Sequence, residues 1–192
     1  MSVLDALDDR FFREVFVQGV YPVFPNAKIV FDIGALMLEY SLKVYTEAEK
    51  IVALEPHPVH AAKIREKIAQ YHLDKIKLFE VALSYASGRA KFGGLDNYGG
   101  SALRDNYEKS IEVETTNLVD LMVRSGVDHI DVLKMDIEGG EKNVLTDAFP
   151  FGRVKNIVYE IHANVPPSLQ IFEKYGYETE VNKYSVGIAR LK

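Results

Sequence analysis

The chain has no cysteine among its 192 residues. Disulfides, thiolate metal sites and a cysteine nucleophile are therefore excluded. Long hydrophobic runs are missing too, and none approaches the ~20 residues of a membrane-spanning helix. Positive charge is in deficit: 23 Lys and Arg stand against 28 Asp and Glu, a net charge of −5. A general nucleic-acid binder carries a clustered basic face, so nucleic acid is disfavoured as a partner. The run Lys63, Arg65, Lys67 reads as a solvated helix face. The opening "MSVLDALDDRFFREVF" lacks the basic-then-apolar order of a secretory signal. These absences lead to the expectation of a cytoplasmic protein with no membrane partner. What is present is an ordinary globular mix, 47% hydrophobic and 27% charged, at a length that suits one domain over residues 1–192.

Leu4, Leu7, Phe11, Phe12, Val15 and Phe16 recur at helical spacing and predict a helix from Met1 to about Gln18, within a helical cap over residues 1–22. Its apolar face suits a cap on a sheet, a lid or a homodimer contact. Gly19, Pro22 and Pro25 end it. Beyond it, strands alternate with helices. "AKIVFDIG", "KIVALEP", "DKIKLFEVAL", "HIDVLKMDI" and "VKNIVYEIH" read as five main strands. "LMLEYSLKVYTEAE", "HAAKIREKIAQYH", "TNLVDLMVRSG", "GEKNVLTDAF" and "PSLQIFEKYG" read as the helices. "GRAKF" and "IEVETT" are short strands around a glycine-rich loop. "YETEVN" and "SVGIARL" form a closing antiparallel pair. The pattern predicts an α/β fold with a mainly parallel, doubly wound sheet covered on both faces. In such sheets ligands bind beyond the carboxyl ends of the strands.

Those ends carry the chemistry. Strand one stops at "FDIGA", where Gly34 gives a tight turn after Asp32. Strand two stops at "VALEP". Glu55 lies 21 residues beyond Gly34, about where doubly wound folds hydrogen-bond ribose hydroxyls. Strand three stops at "VALS", whose Ala82, Leu83 and Ser84 suit an adenine wall. Strand four runs into "LKMDIEGGEKNVL". Asp136 and Glu138 precede the next helix, Glu141 opens it, and Gly139 and Gly140 leave the approach clear. Lys134 shares a strand face with Asp136 and can pair with an acid. Strand five stops at "YEIH", with Glu160 and His162 on one face.

Together these segments, with "VALEPHP", "VALSYASG", "GGSAL" and "VETTNLVDLM", resemble the FkbM family of S-adenosylmethionine-dependent methyltransferases over roughly Lys28 to His162. The resemblance implies a Rossmann-like class I methyltransferase fold. It also implies O-methylation of a hydroxyl on a small molecule or sugar, with S-adenosylmethionine as cofactor. Asp32, Gly34 and Ala35 would line its methionine and ribose side. Glu55, followed by Pro56, would hold the ribose, and Ala82, Leu83 and Ser84 the adenine. Asp136, Glu138 and Glu141 would face the methyl group and the acceptor, and Asp136 with His162 would be the base. Asp136 with Glu138 could instead hold Mg²⁺; no metal ligand is assigned. Tyr98, Ser101, Arg104 and Tyr107 are candidates to touch the acceptor.

One departure is large. The family's first motif reads Asp-x-Gly-Ala-Asn-x-Gly, and here Leu36 replaces the asparagine and Leu38 the second glycine. A non-catalytic relative with a degenerate cofactor loop is the alternative. An NAD-dependent dehydrogenase fits worse, since the full G-x-G-x-x-G turn is absent.

Overall fold

The computed structural model describes residues 9–93, 102–103, 109–162 and 169–192. The calls on Tyr98, Ser101, Arg104 and Tyr107, and on Met1 to Asp8, lie outside them. Among the described residues, eleven strands form two sheets. β1 (Ile29–Ile33), β2 (Lys50–Leu54), β3 (Ile76–Phe79), β8 (Ile130–Met135) and β9 (Val154–Glu160) run parallel in the large sheet. β11 (Val186–Leu191) pairs antiparallel with β9 and with β10 (Tyr177–Val181). The order is β10–β11–β9–β8–β1–β2–β3. The chain leaves β1 toward β2 and β3, then returns to its other side as β8. The switch point therefore lies between the carboxyl ends of β1 and β8, where an open α/β sheet makes its ligand crevice.

Alternation along the strands fills two layers. On β1, Val30 joins one core with Ile51, Ala53, Val132 and Val158, while Phe31 and Ile33 join the other with Val52, Leu54, Leu133 and Ile157. The first layer packs under α2 (Glu39–Val44) and α3 (Pro58–Tyr71), the second under α4 (Leu118–Ser125) and α6 (Leu169–Lys174). α4 is bounded as its sequence predicts. Asn117 caps it by accepting from the Asp120 amide at 2.9 Å, and Gly126 ends it at φ +67°.

Three expectations need correction. "DKIKLFEVAL" is two strands: β3 stops at Phe79, and β4 (Ala82–Leu83) pairs with β7 (Ser110–Thr116) in a second sheet that continues through β5 (Gly88–Gly93) and β6 (Ala102–Leu103), in the order β4–β7–β5–β6. Val81, Ala82 and Leu83 are all buried, because the chain crosses between the sheets there. The helix predicted from Leu36 is only α2, since Leu36 and Leu38 both take left-handed backbone angles. The basic run is not wholly solvated. Lys67 is buried and donates to the Met37 carbonyl at 2.8 Å.

Candidate active site

A cleft with about 200 Å³ of room for solvent opens at the switch point. Gly34, Ala35 and Leu36 line it after β1, Glu55 and Pro56 after β2, and Ala82 and Leu83 from β4. Asp136, Ile137, Glu138 and Gly140 enter after β8, and Glu160 from the end of β9. Phe92, Ala102 and Leu103 make an apolar end. Phe11 and Val15, from the α1 segment (Asp9–Phe12) and the π-helical turn that continues it (Arg13–Val17), lie over the cleft.

Asp32 does not line it. The side chain is fully buried and accepts from Ser41 through the amide at 3.0 Å and the hydroxyl at 2.7 Å. Strand register sets Asp32 opposite Lys134, and the two form an ion pair at 3.2 Å. Lys134 also donates to the Gly34 carbonyl at 2.8 Å. Burial pulls the Lys134 ammonium down, but the Asp32, Asp136 and Glu160 charges outweigh it and raise its pKa above the usual lysine value. Gly34 is required here at φ +74°: a Cβ would lie 1.9 Å from the Asp136 carbonyl oxygen. Glu55 lines the cleft and accepts from the Leu36 and His57 amides, each at 2.9 Å. It thus shapes the loop it faces, and each oxygen keeps a second lone pair. Ser84 is not part of the cleft lining, and its amide donates to the Thr116 carbonyl at 2.9 Å.

The acids after β8 and β9 converge on one imidazole. His162 Nε2 lies 3.5 Å from Asp136 Oδ1, 3.4 Å from Glu138 Oε2 and 3.9 Å from Glu160 Oε1. Its Nδ1 lies 3.5 Å from Glu141 Oε1, which also accepts from the Ile137 amide at 2.8 Å. Burial opposes charge on His162, but Glu141, Asp136 and Glu138 prevail and raise it to about 9. Burial, and after it the Asp136 charge, lifts Glu138 to about 7 and raises Glu160 as well. Tyr21 was missed by sequence reasoning. Its hydroxyl lies 2.8 Å from Asp136 Oδ2 and 2.7 Å from Glu160 Oε2. With one proton to give, it serves one carboxylate at a time. Nothing in "GVYPVF" signals that role. Glu160 was legible only as the face-mate of His162.

The methyltransferase FkbM domain model matches residues 32–179. The chain belongs to that family. The 2-O-methyltransferase NoeI of Sinorhizobium fredii is 30% identical over 114 residues, covering 50% of this chain and 46% of that protein. The solved FkbM methyltransferase of Methylobacillus flagellatus superposes with a TM-score of 0.63 at 13% identity, covering 93% of this chain and 47% of that one. TrmK of M. capricolum, solved with S-adenosylhomocysteine, gives 0.53 at 10% identity, covering 95% and 67%. Both likenesses establish the Rossmann-like fold. The chain spans about half the length of NoeI and of the Methylobacillus protein. Among the described residues no helix is long and apolar enough to cross a membrane.

Within the FkbM framework the two replaced motif positions differ in consequence. Leu38 is fully buried and packs with Val15, Tyr21 and Tyr40 in the core, outside the cleft lining. Leu36 does line the cleft, with its amide held by Glu55. The leucines keep the left-handed turn that the motif's asparagine and glycine favour (φ +49° and +73°).

Proposed function

We propose that the chain transfers a methyl group from S-adenosylmethionine to a hydroxyl of a small molecule or sugar. The carrying observation is one cleft at the switch point, with an apolar end at Phe92 and Leu103 and an acidic end at Asp136, Glu138 and Glu160. An adenine suits the first. A sulfonium suits the second, since carboxylates favour a nearby cation. Glu55 stands between, with lone pairs for ribose hydroxyls. The likeness to NoeI, a 2-O-methyltransferase, supports the O-methyl reading, and the S-adenosylhomocysteine bound to TrmK supports the cofactor.

Catalysis would be mainly alignment of oxygen, methyl carbon and sulfur. When bound, S-adenosylmethionine would supply a methyl group on a sulfonium; its transfer to the acceptor oxygen would leave the carbon–sulfur bonding pair on sulfur, giving S-adenosylhomocysteine. The hydroxyl proton passes to a carboxylate at the strand ends. Titration calorimetry with S-adenosylmethionine and S-adenosylhomocysteine tests this. Saturable one-to-one binding supports it. No heat from either compound at about 1 mM leaves the non-catalytic alternative, with Leu36 as the obstructing side chain.

A further inference from the structure

Five side chains meet where β8 and β9 end, and three acids stand farther from one imidazole nitrogen than ordinary hydrogen-bond partners do. The His162 Nε2 distances to Asp136, Glu138 and Glu160 run from 3.4 to 3.9 Å, whereas N–H···O bonds cluster at about 2.7–3.2 Å. Atoms sharing a cation at bond lengths of about 2.1–2.4 Å stand about 3.0–3.9 Å apart at neighbouring corners and about 4.2–4.8 Å at opposite ones. One ligand atom each from Asp136, Glu160 and His162 falls within 4.8 Å of the others. We propose that these three side chains bind one divalent cation, which takes the acceptor hydroxyl as a further ligand.

The surroundings support a built site. The Tyr21 hydroxyl lies within bonding distance of Oδ2 of Asp136 and Oε2 of Glu160 and donates to one of them at a time, while Oδ1 and Oε1 are the oxygens facing Nε2. Tyr21 thus sits behind the outer oxygens of both carboxylates, and the other oxygen of each is aimed inward. Glu141 faces Nδ1, itself anchored by the Ile137 amide, and so turns Nε2 to the centre. A carboxylate behind a ligating imidazole is the usual outer partner of a metal-bound histidine. Asp136, Glu138 and Glu160 all line the cleft, so a cation there borders the space given to the methyl donor. Two carboxylates with one imidazole, and Glu138 alongside, suit a hard or borderline ion such as Mg²⁺ or Mn²⁺. Binding displaces the Nε2 proton. The cation lowers the cost of removing the acceptor's proton, which passes to a neighbouring carboxylate or to water. An acceptor with a second oxygen beside the reacting hydroxyl would chelate and bind better.

The role in catalysis rests on the methyl-transfer reading; the binding does not, and Mn²⁺ alone tests it. Chelator-stripped chain is titrated with Mn²⁺ while the paramagnetic resonance of the free ion is followed. The expected result is one saturable site tighter than about 1 mM. Asp136→Asn and His162→Ala should each weaken it at least about tenfold, and Tyr21→Phe, which leaves all three ligands, about tenfold. Asp128→Asn, an exposed acid elsewhere, should leave it unchanged. Circular dichroism checks that each variant folds, and His162→Ala reads the same question if Asp136→Asn does not. No saturable binding by the wild type, or binding unchanged in His162→Ala, overturns the site. Mn²⁺ binding without binding of either adenosyl compound sustains the site and overturns methyl transfer. The converse overturns the metal alone.

Discussion

Leucine is a costly choice for a left-handed backbone, yet Leu36 and Leu38 both adopt one, at φ +49° and +73°. The steric penalty is about 1–2 kcal/mol each. What offsets it differs. Leu38 is fully buried in the core, whereas Leu36 only lines the cleft. Leu36→Gly should therefore change stability little or raise it by up to about 1 kcal/mol. Leu38→Gly should lower it by about 2–4 kcal/mol, because the cavity outweighs the relieved strain. Urea denaturation of both variants checks the contrast, and equal effects would refute it. Asp32 makes a second case. Its ion pair with Lys134 is buried, so Asp32→Asn leaves that ammonium without its contact carboxylate, with the Asp136 and Glu160 charges as the remaining support, and should cost about 3 kcal/mol. The sequence showed Asp32 as a strand-end acid beside a glycine turn, but not that Ser41 and Lys134 take up its oxygens. A carboxylate reads the same in sequence whether it faces a ligand or a lysine from the neighbouring strand.

At the scale of elements, the seam between β1 and β8 positions everything else. The turn after β1 stacks directly on the end of β8, and only a residue without Cβ fits at Gly34. Gly34→Ala meets both a left-handed φ and the Asp136 carbonyl. It should lower the denaturation midpoint by more than about 2 kcal/mol worth of stability, or stop the chain folding. Full stability in that variant would show that the seam is looser than described. Helical and strand periodicity made the five parallel strands and the closing antiparallel pair legible, because a strand buried on both faces is a continuous apolar run. The same signal misled at "DKIKLFEVAL". An apolar run continues unchanged when the chain passes from the large sheet into the small one, and periodicity does not record which neighbour a strand pairs with. The short span of α2 was equally hidden, since "LMLEYSL" keeps good helix formers through a turn that the backbone angles forbid to a helix.

For the molecule as a whole, the segment over the cleft ties the N-terminal region to the far edge of the large sheet. Lys43 donates to the Val15 and Tyr21 carbonyls, both at 2.8 Å. Asn182, in the β10–β11 turn, donates to Val20 at 2.9 Å. Tyr40 donates to Pro22 at 3.1 Å. These bonds reach carbonyls of a segment with little regular structure, so their loss should open it locally rather than unfold the sheet. A bond from an ammonium contributes about 1.5–3 kcal/mol, and one from an amide about 1 kcal/mol. The double variant Lys43→Met, Asn182→Ala should therefore speed hydrogen exchange at the Gln18 and Val20 amides by about tenfold or more, while β1 and β8 keep their protection. Those amides donate to Arg13 and Glu14 within the segment, and so report its closure directly. If the segment forms part of the cofactor pocket, the same variant should bind S-adenosylhomocysteine more weakly by calorimetry. Faster exchange with undiminished affinity would make it a structural strap. Exchange accelerated equally in β1 would mean that the strap and the sheet unfold as one unit.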